Sequence, residues 1–342
     1  MININLAPGN LTELLKHHAN YIKETVPDNW EKMVGKPVDK QRVTPQELEE
    51  IASATNEHLS KFHTANQKNL FLENIVQICT TKDLNTYAIP TETLFPTNTN
   101  RYRNILLKII GYDNFSKGIP QEENTNGISW NRHMLIDKLN VRVCPYCNRQ
   151  YITSFYKNDV STATADIDHY FPKSQYPLLS MSFFNLVPSC TVCNSRLKGG
   201  KTINQENKHL HPLFDDSDCL FFSTNNNTLE ELYNFPTSKT EIKVTINQEK
   251  DPAAQKRTGN SIETFHLSEL YCAHTKEVDT IRKNINHFSK EYFNNIFQKN
   301  YGELFETYED FEKVIFHFNY IDDSDEPLTK LKKDIYRQLF LN

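Results

Sequence analysis

Four cysteines in two close pairs, Cys144/Cys147 and Cys190/Cys193, are the residues of this 342-residue chain best placed by type and spacing to act together. Each C-x-x-C turn lets two thiolates reach one ion, and two such turns complete the tetrahedral ligand set of a structural Zn²⁺. The 42 residues between the pairs exceed the gap of a simple zinc ribbon, so a further element is expected between the knuckles. That interval holds an Asp-His pair, Asp168-His169, and Asn185, and Asn194 directly follows the last cysteine. A hard divalent ion such as Mg²⁺ or Mn²⁺ takes oxygen ligands and keeps several waters, so one carboxylate and one amide oxygen are an adequate protein contribution. Asp168 and Asn194 can supply them. The adjacent His169, with an ordinary pKa of about 6.5, suits removal of a proton from water at neutral pH. Asn185 either orients the imidazole or holds the intervening loop. These are the parts for single-metal phosphodiester hydrolysis.

Plainer readings stand beside that one. A purely structural zinc module needs no Asp-His pair, and a carboxylate beside a histidine also describes a buried, satisfied imidazole. Asp166 falls on the same strand face as Asp168 by alternation, farther from the histidine. His211 and Asp215, in HLHPLFDD, either line the site or pack a loop. Phe183-Phe184 and Phe221-Phe222 read as core, and His17, His18, His58 and His63 lack partners at ligand spacing.

The order C-x-x-C, D-H, N, C-x-x-C-N resembles the HNH, or ββα-metal, endonucleases whose fold is pinned by a four-Cys zinc. About 60 residues carry the likeness. It implies a small ββα core around a catalytic metal, with Asp168 and Asn194 as ligands of Mg²⁺ or Mn²⁺, His169 as general base and Asn185 as the middle Asn. It further implies Cys144, Cys147, Cys190 and Cys193 as zinc ligands, and Arg196, Lys198 or Lys201 as the basic residue that meets a phosphate. The chain departs from many members at its last position, Asn194 standing where they have His, which bears on metal affinity. The strings LNVRVCPYCNRQYI, DHYFPKS and HPLFDD are similar to the nuclease component of Septu-type anti-phage systems, including those attached to retrons. That likeness implies an ATPase partner and a defence role. DNA is the expected substrate, an RNA such as tRNA the alternative, and a non-catalytic zinc module that binds nucleic acid or protein the rival from another class.

Composition is consistent with a nucleic-acid partner only locally. The chain carries a formal charge of −5, which argues against a simple basic binder. From Trp130 to Lys201, however, nine Lys/Arg face four Asp/Glu, against 29 and 39 in the remainder. A positive segment within an acidic protein can meet a polyanion while the rest preserves solubility. No apolar run long enough for a membrane helix and no basic-then-apolar leader are seen. With Cys79, Cys219 and Cys272 scattered and odd in number, the cysteines fit a reduced, cytoplasmic setting rather than a disulfide framework.

The elements that must position these residues are mostly helical, and the expected class is α+β, a zinc-stabilised ββα core within a largely α-helical protein. Helices are expected from Asn10-Leu-Thr, from Thr44-Pro45-x-Glu47 toward Phe71 and Ile75, and over 101–112 ending at Gly111. The polar stretch 119–129 marks a boundary. NRHMLIDKLNVRV reads as a helix and short strand, and EIKVTINQ as a strand. Helix returns from Ser261 onward. The resulting organisation is a helical region over 1–129, the core with its knuckles over 130–215, and a mixed strand and helical region over 216–342.

Overall fold

The computed structural model describes residues 2–59, 66–117, 130–157, 160–201, 203–204, 206–225, 240–288, 290–301, 304–305, 307–316 and 325–340. The expected boundary at 119–129 and His63 lie outside these residues. Helix α1 spans Pro8–Glu31. It starts two residues before the expected Asn10 because Pro8 occupies a first-turn position, where its missing N–H is no loss. Helix α2 (Pro45–Leu59) opens on the capping box expected of Thr44 and Glu47. The Glu47 amide donates to Thr44 Oγ1 at 3.2 Å and the Thr44 amide to Glu47 Oε2 at 2.9 Å. The run toward Phe71 and Ile75 is a separate helix, α3 (Gln67–Thr80), capped by Asn66. Helix α4 (Thr99–Ile110) stops at Gly111, whose φ of +85° suits glycine. Helices α3 and α4 both pack on α1.

The middle of the chain is built from short pieces. Helix α5 (Arg132–Leu139) is capped by Asn131 and ends at left-handed Asn140. The strand expected after it is reduced to one bridge, Val143 with Tyr151, because the chain turns at once into the first knuckle. Strands β1 (Ser154–Lys157) and β2 (Val160–Ala163) form a hairpin. Strand β3 (Asp166–His169) pairs antiparallel with β4 (Leu186–Ser189), setting Asp168 opposite Val187 and His169 opposite Leu186. After the second knuckle comes a π-helix over Val192–Lys198. Further on, β5 (Leu220–Thr224) pairs with β6 (Ile242–Ile246), followed by α6 (Pro252–Thr264), α7 (Thr275–His287), α8 (Tyr308–Phe316) and α9 (Thr329–Phe340).

Among the described residues the sheets are all two-stranded antiparallel pairs, so the architecture is α+β: helices enclosing short ladders. Pairs this small are not stable alone and need apolar packing. They receive it from one buried cluster running from Ile4 through Phe71, Phe183 and Val187 to Leu339. Two segments distant in sequence close on the first knuckle. The Ile2 amide donates to Pro145 O at 2.9 Å, and the Leu328 amide to Asn148 O at 2.6 Å. Among the described residues no helix is long and apolar enough to cross a membrane.

Candidate functional site

The two knuckles converge. The four Sγ atoms of Cys144, Cys147, Cys190 and Cys193 lie within 4.8 Å of one another, and all four residues are buried. Local chain geometry makes each turn: the Asn148 amide bonds Cys144 O at 2.8 Å, and the Asn194 amide bonds Cys190 O at 3.0 Å. Asn148 accepts the left-handed φ of +49° that the first turn requires. Four buried thiolates this close repel one another unless a cation sits among them. Hydrogen bonding from Cys144, then Cys147 and Cys193, drives the Cys190 thiol far down. Four soft donors in a closed, buried set fit a structural zinc.

Both knuckles also reach Asp168. Tyr146, inside the first C-x-x-C, donates its hydroxyl to Asp168 Oδ2 at 2.6 Å. Lys198, closing the π-helix that leaves the second, places Nζ 2.5 Å from the same oxygen. Asp168 is 4% exposed and Lys198 1%. Burial alone would raise the Asp168 pKa, but Lys198 and the Tyr146 bond outweigh it and hold the carboxyl below its usual value. Oδ1 of Asp168 has no bonding partner among the described residues, and neither does the half-buried side-chain amide of Asn194. One carboxylate oxygen and one amide group are therefore uncommitted among the described residues, where the four-Cys set is the cluster of metal-type donors that converges.

His169 is the next residue on β3 and so faces away from Asp168. Its Nε2 lies 2.9 Å from Ser180 O. A carbonyl only accepts, so Nε2 carries the proton and Nδ1 holds the lone pair. No described residue bonds Nδ1, and the ring is half-buried. Burial, then the charge of Lys173, lowers its pKa to about 4, so the imidazole is neutral at pH 7. Tyr112 meets it edge-on at 4.4 Å, and the Lys173 ammonium sits 4.1 Å over the Tyr112 ring. Beside them a cavity of about 350 Å³ is lined by Lys108, Tyr112, Asp113 and Lys173 among others.

The remaining expected residues divide. Asn185 does not touch the imidazole. Its Oδ1 accepts from the Phe171 amide at 2.7 Å, and its Nδ2 donates to Phe171 O and Leu179 O at 3.0 and 2.9 Å. It fastens the 171–182 loop that carries Ser180, so it positions His169 rather than reacting. Lys198 does not meet a phosphate: Asp168 Oδ2, His169 O at 2.6 Å and Tyr170 O at 3.1 Å use all three of its protons. Arg196 and Lys201 are exposed. His211 is satisfied on both nitrogens, by Phe184 O at 2.8 Å and the Leu213 amide at 3.1 Å, and lines a different cavity. Asp166 is half-buried and pairs with Ser189 across the ladder. Phe183, Phe184 and Phe222 are buried, as expected of core.

Four contributors were not singled out by residue pattern. Tyr146 was hidden as a spacer inside C-P-Y-C, Tyr112 meets His169 only through tertiary packing, and the place of Lys173 depends on how the chain turns after His169. His209 is fully buried against Tyr146 and Tyr170, with ring centroids 5.3 and 4.6 Å away. Its Nδ1 donates to Leu210 O at 2.9 Å, while Nε2 has no partner among the described residues. The one available signal was its place in HLHP, two residues before His211.

One relative has a name. Protein ea31 of Escherichia phage lambda is 34% identical over 73 residues, which is 21% of each chain. The chain thus spans about a fifth of the length of this curated relative. No described protein family matches, and no solved structure does.

Proposed function

We propose that this chain is a metal-dependent endonuclease of the HNH kind that hydrolyses phosphodiester bonds in DNA. The observation that carries the reading is His169, whose Nε2–H is fixed to Ser180 O while Nδ1 keeps its lone pair, one residue from a carboxylate with an unclaimed oxygen. The succession of strand β3, strand β4 and the π-helix after the second knuckle supports this reading, since a ββα core has two strands and a helix in that order. His169 Nδ1 takes a proton from water as the oxygen attacks phosphorus, and the P–O bond to the leaving oxygen breaks. Asp168 Oδ1 and the Asn194 amide oxygen would hold Mg²⁺ or Mn²⁺, which when bound supplies charge stabilisation at the scissile phosphate. The exposed Arg196 and Lys201 offer positive charge to the strand, while the adjoining cavity sets Lys108 and Lys173 against Asp39 and Asp113.

The biological setting follows the likeness to Septu-type and retron-associated nucleases: a cytoplasmic effector of anti-phage defence, gated by an ATPase partner. The partial match to a phage protein is compatible with phage conflict but says nothing of activity. One observation favours the non-catalytic rival. Asp168 Oδ2 is held by Lys198 and Tyr146, as in a purely structural network. Nicking of supercoiled plasmid in Mg²⁺ or Mn²⁺ separates the two, using wild type and His169→Ala with zinc content measured in parallel. The nuclease reading expects cleavage by wild type alone at equal zinc. Equal cleavage by both proteins would sink it, and silence from both, with and without a candidate ATPase, would leave the zinc module. An RNA substrate arm, with tRNA as competitor, distinguishes DNA from RNA cleavage.

A further inference from the structure

A second cavity, of about 300 Å³, opens beside Tyr170 and Phe171, and its wall includes Lys82, Lys208, Arg257, Asp215, His211 and Phe214. Its charges do not balance. The only carboxylate among the lining residues, Asp215, is already spent: Oδ1 takes Arg257 Nη2 at 2.6 Å, and Oδ2 takes the His211 amide at 2.8 Å. Arg257 retains Nη1 without a partner among the described residues. The Lys208 ammonium has only a neutral acceptor, Asn85 Oδ1 at 3.1 Å. Burial, then the neighbouring Arg257, lowers the Lys208 pKa, with Asp215 acting the other way. Lys82, exposed, adds a third positive group and approaches the Phe184 ring at 6.0 Å.

The same cavity has an aromatic rim. Phe214 is 43% exposed, unusual for so large an apolar ring. Its inner face stacks on His211 at 4.3 Å and 23°, and His211 in turn rests against Tyr170 at 4.4 Å. Phe184 stacks on the same ring at 5.4 Å and 30°, so Phe214 is held rigid by two neighbours while its exposed part is presented to the cavity, where a base can stack without sequence preference. Two ammonium groups and the free edge of a guanidinium suit the oxygens of a phosphate. The volume lies at the small end for ligand sites, room for one nucleotide unit.

We propose that this cavity binds a nucleotide, its phosphate between Lys82, Lys208 and Arg257 and its base on Phe214. The site needs no hydrolysis and stands apart from the His169 reading. Its ligand is either a free mononucleotide or the 5′-phosphorylated end of a strand, which present the same chemistry.

Calorimetric titration of the full chain tests it, with AMP, inorganic phosphate, adenosine and short single-stranded DNA bearing either a 5′-phosphate or a 5′-hydroxyl. AMP is expected to bind more tightly than phosphate or adenosine, and phosphate to displace it. The double variant Lys82→Gln/Lys208→Gln should weaken AMP and phosphate by about tenfold or more with an unchanged melting temperature, since neither side chain is core. Phe214→Ala should weaken AMP but not phosphate. Comparable affinity for AMP and the phosphorylated strand assigns a free nucleotide, whereas preference for the phosphorylated strand over both AMP and the hydroxyl strand assigns a strand end. The proposal falls if AMP binding is absent or survives the double lysine variant unchanged, or if strand binding ignores both the 5′-phosphate and the lysines.

Discussion

His18 and His169 lie 151 residues apart in the chain and end on adjacent carbonyls of the same short turn, yet only one is equipped for chemistry. His18, on α1, donates Nε2–H to Met181 O at 2.7 Å, and His169, on β3, donates to Ser180 O at 2.9 Å. Each bond fixes a tautomer with the lone pair on Nδ1. In His18 that lone pair accepts the Trp130 indole N–H at 3.0 Å, and the ring is completely buried. In His169 no described residue takes it, and the ring is half-open beside Tyr112 and Lys173. A satisfied imidazole is a structural part, while an oriented, half-exposed imidazole with one unused nitrogen is what the proposed general base requires. The difference lies in the second nitrogen and its exposure, not in pKa, since both rings are driven down to about 4 chiefly by desolvation.

The comparison breaks most sharply by exchanging losses. His169→Ala should reduce plasmid nicking by about 10²–10⁴-fold, the usual contribution of a positioned general base. Its melting temperature should change little. His18→Ala should do the reverse: it leaves Met181 O and Trp130 Nε1 buried without partners and opens a gap, costing about 2–4 kcal/mol in urea unfolding. Nicking per folded molecule should be retained. Comparable activity loss in both variants would show that the spare nitrogen is not what separates them.

A second contrast sets the zinc knuckles against the Asp168 oxygens they serve. Lys198→Met keeps the aliphatic stem but strands Asp168 without its buried cation. Removing one partner of such a pair costs about 3–5 kcal/mol. Measured by urea unfolding with zinc content checked, a loss below about 1 kcal/mol would mean the pair is not closed in solution. Zinc should be retained, because Lys198 contacts no cysteine ligand in the Asp168 network.

Acidification sharpens the comparison differently. His18 and His211 titrate at about 4 in the folded protein, against an ordinary value of 6.5, because burial disfavours the charged ring. A folded pKa below the unfolded one means the unfolded chain binds the proton first. The stability each contributes is therefore full above pH 6.5 and is lost as pH falls from 6.5 to about 4, amounting to roughly 3 kcal/mol apiece. His169 acts in the same direction, so His169→Ala should make the slope shallower without moving the plateau. Urea midpoints from pH 7.5 to 4.5 read this, with zinc measured at each point because thiolate protonation would mimic it. A flat profile down to pH 5 would contradict the burial of these rings.

How much of this was legible from the residues depends on the range of the contact. The knuckles, the Thr44–Glu47 capping box and the Gly111 stop are local, set by spacings of a few residues, and the sequence displays them openly. Asp168 and His169 were conspicuous as a pair, but their opposite facing follows only once β3 pairs with β4. Lys198 misled because a basic residue after a metal knuckle reads as a phosphate contact. The π-helix instead turns its ammonium inward onto Asp168, and no local pattern announces that extra residue per turn. Tyr112 and His209 reach the site through long-range packing, for which a single sequence carries no spacing rule, whereas Lys173 follows His169 by four residues and its place depends on how the intervening chain turns.

Asn185 ties both halves of the comparison to one support, and its substitution is the smallest effect expected. Its amide bonds Phe171 at both backbone atoms and Leu179 O, holding the turn whose next two carbonyls receive His169 and His18. Asn185→Ala removes three buried hydrogen bonds and should cost about 1–3 kcal/mol. Because the turn loosens rather than disappears, His18 keeps Trp130 as a second anchor, whereas His169 has Ser180 O alone to set its tautomer. The variant should therefore lower nicking more than its stability loss explains, and Asn185→Asp, which keeps the acceptor for the Phe171 amide, should lower it less. Activity falling only in proportion to folded fraction would make Asn185 a stability residue and detach the turn from the chemistry of His169.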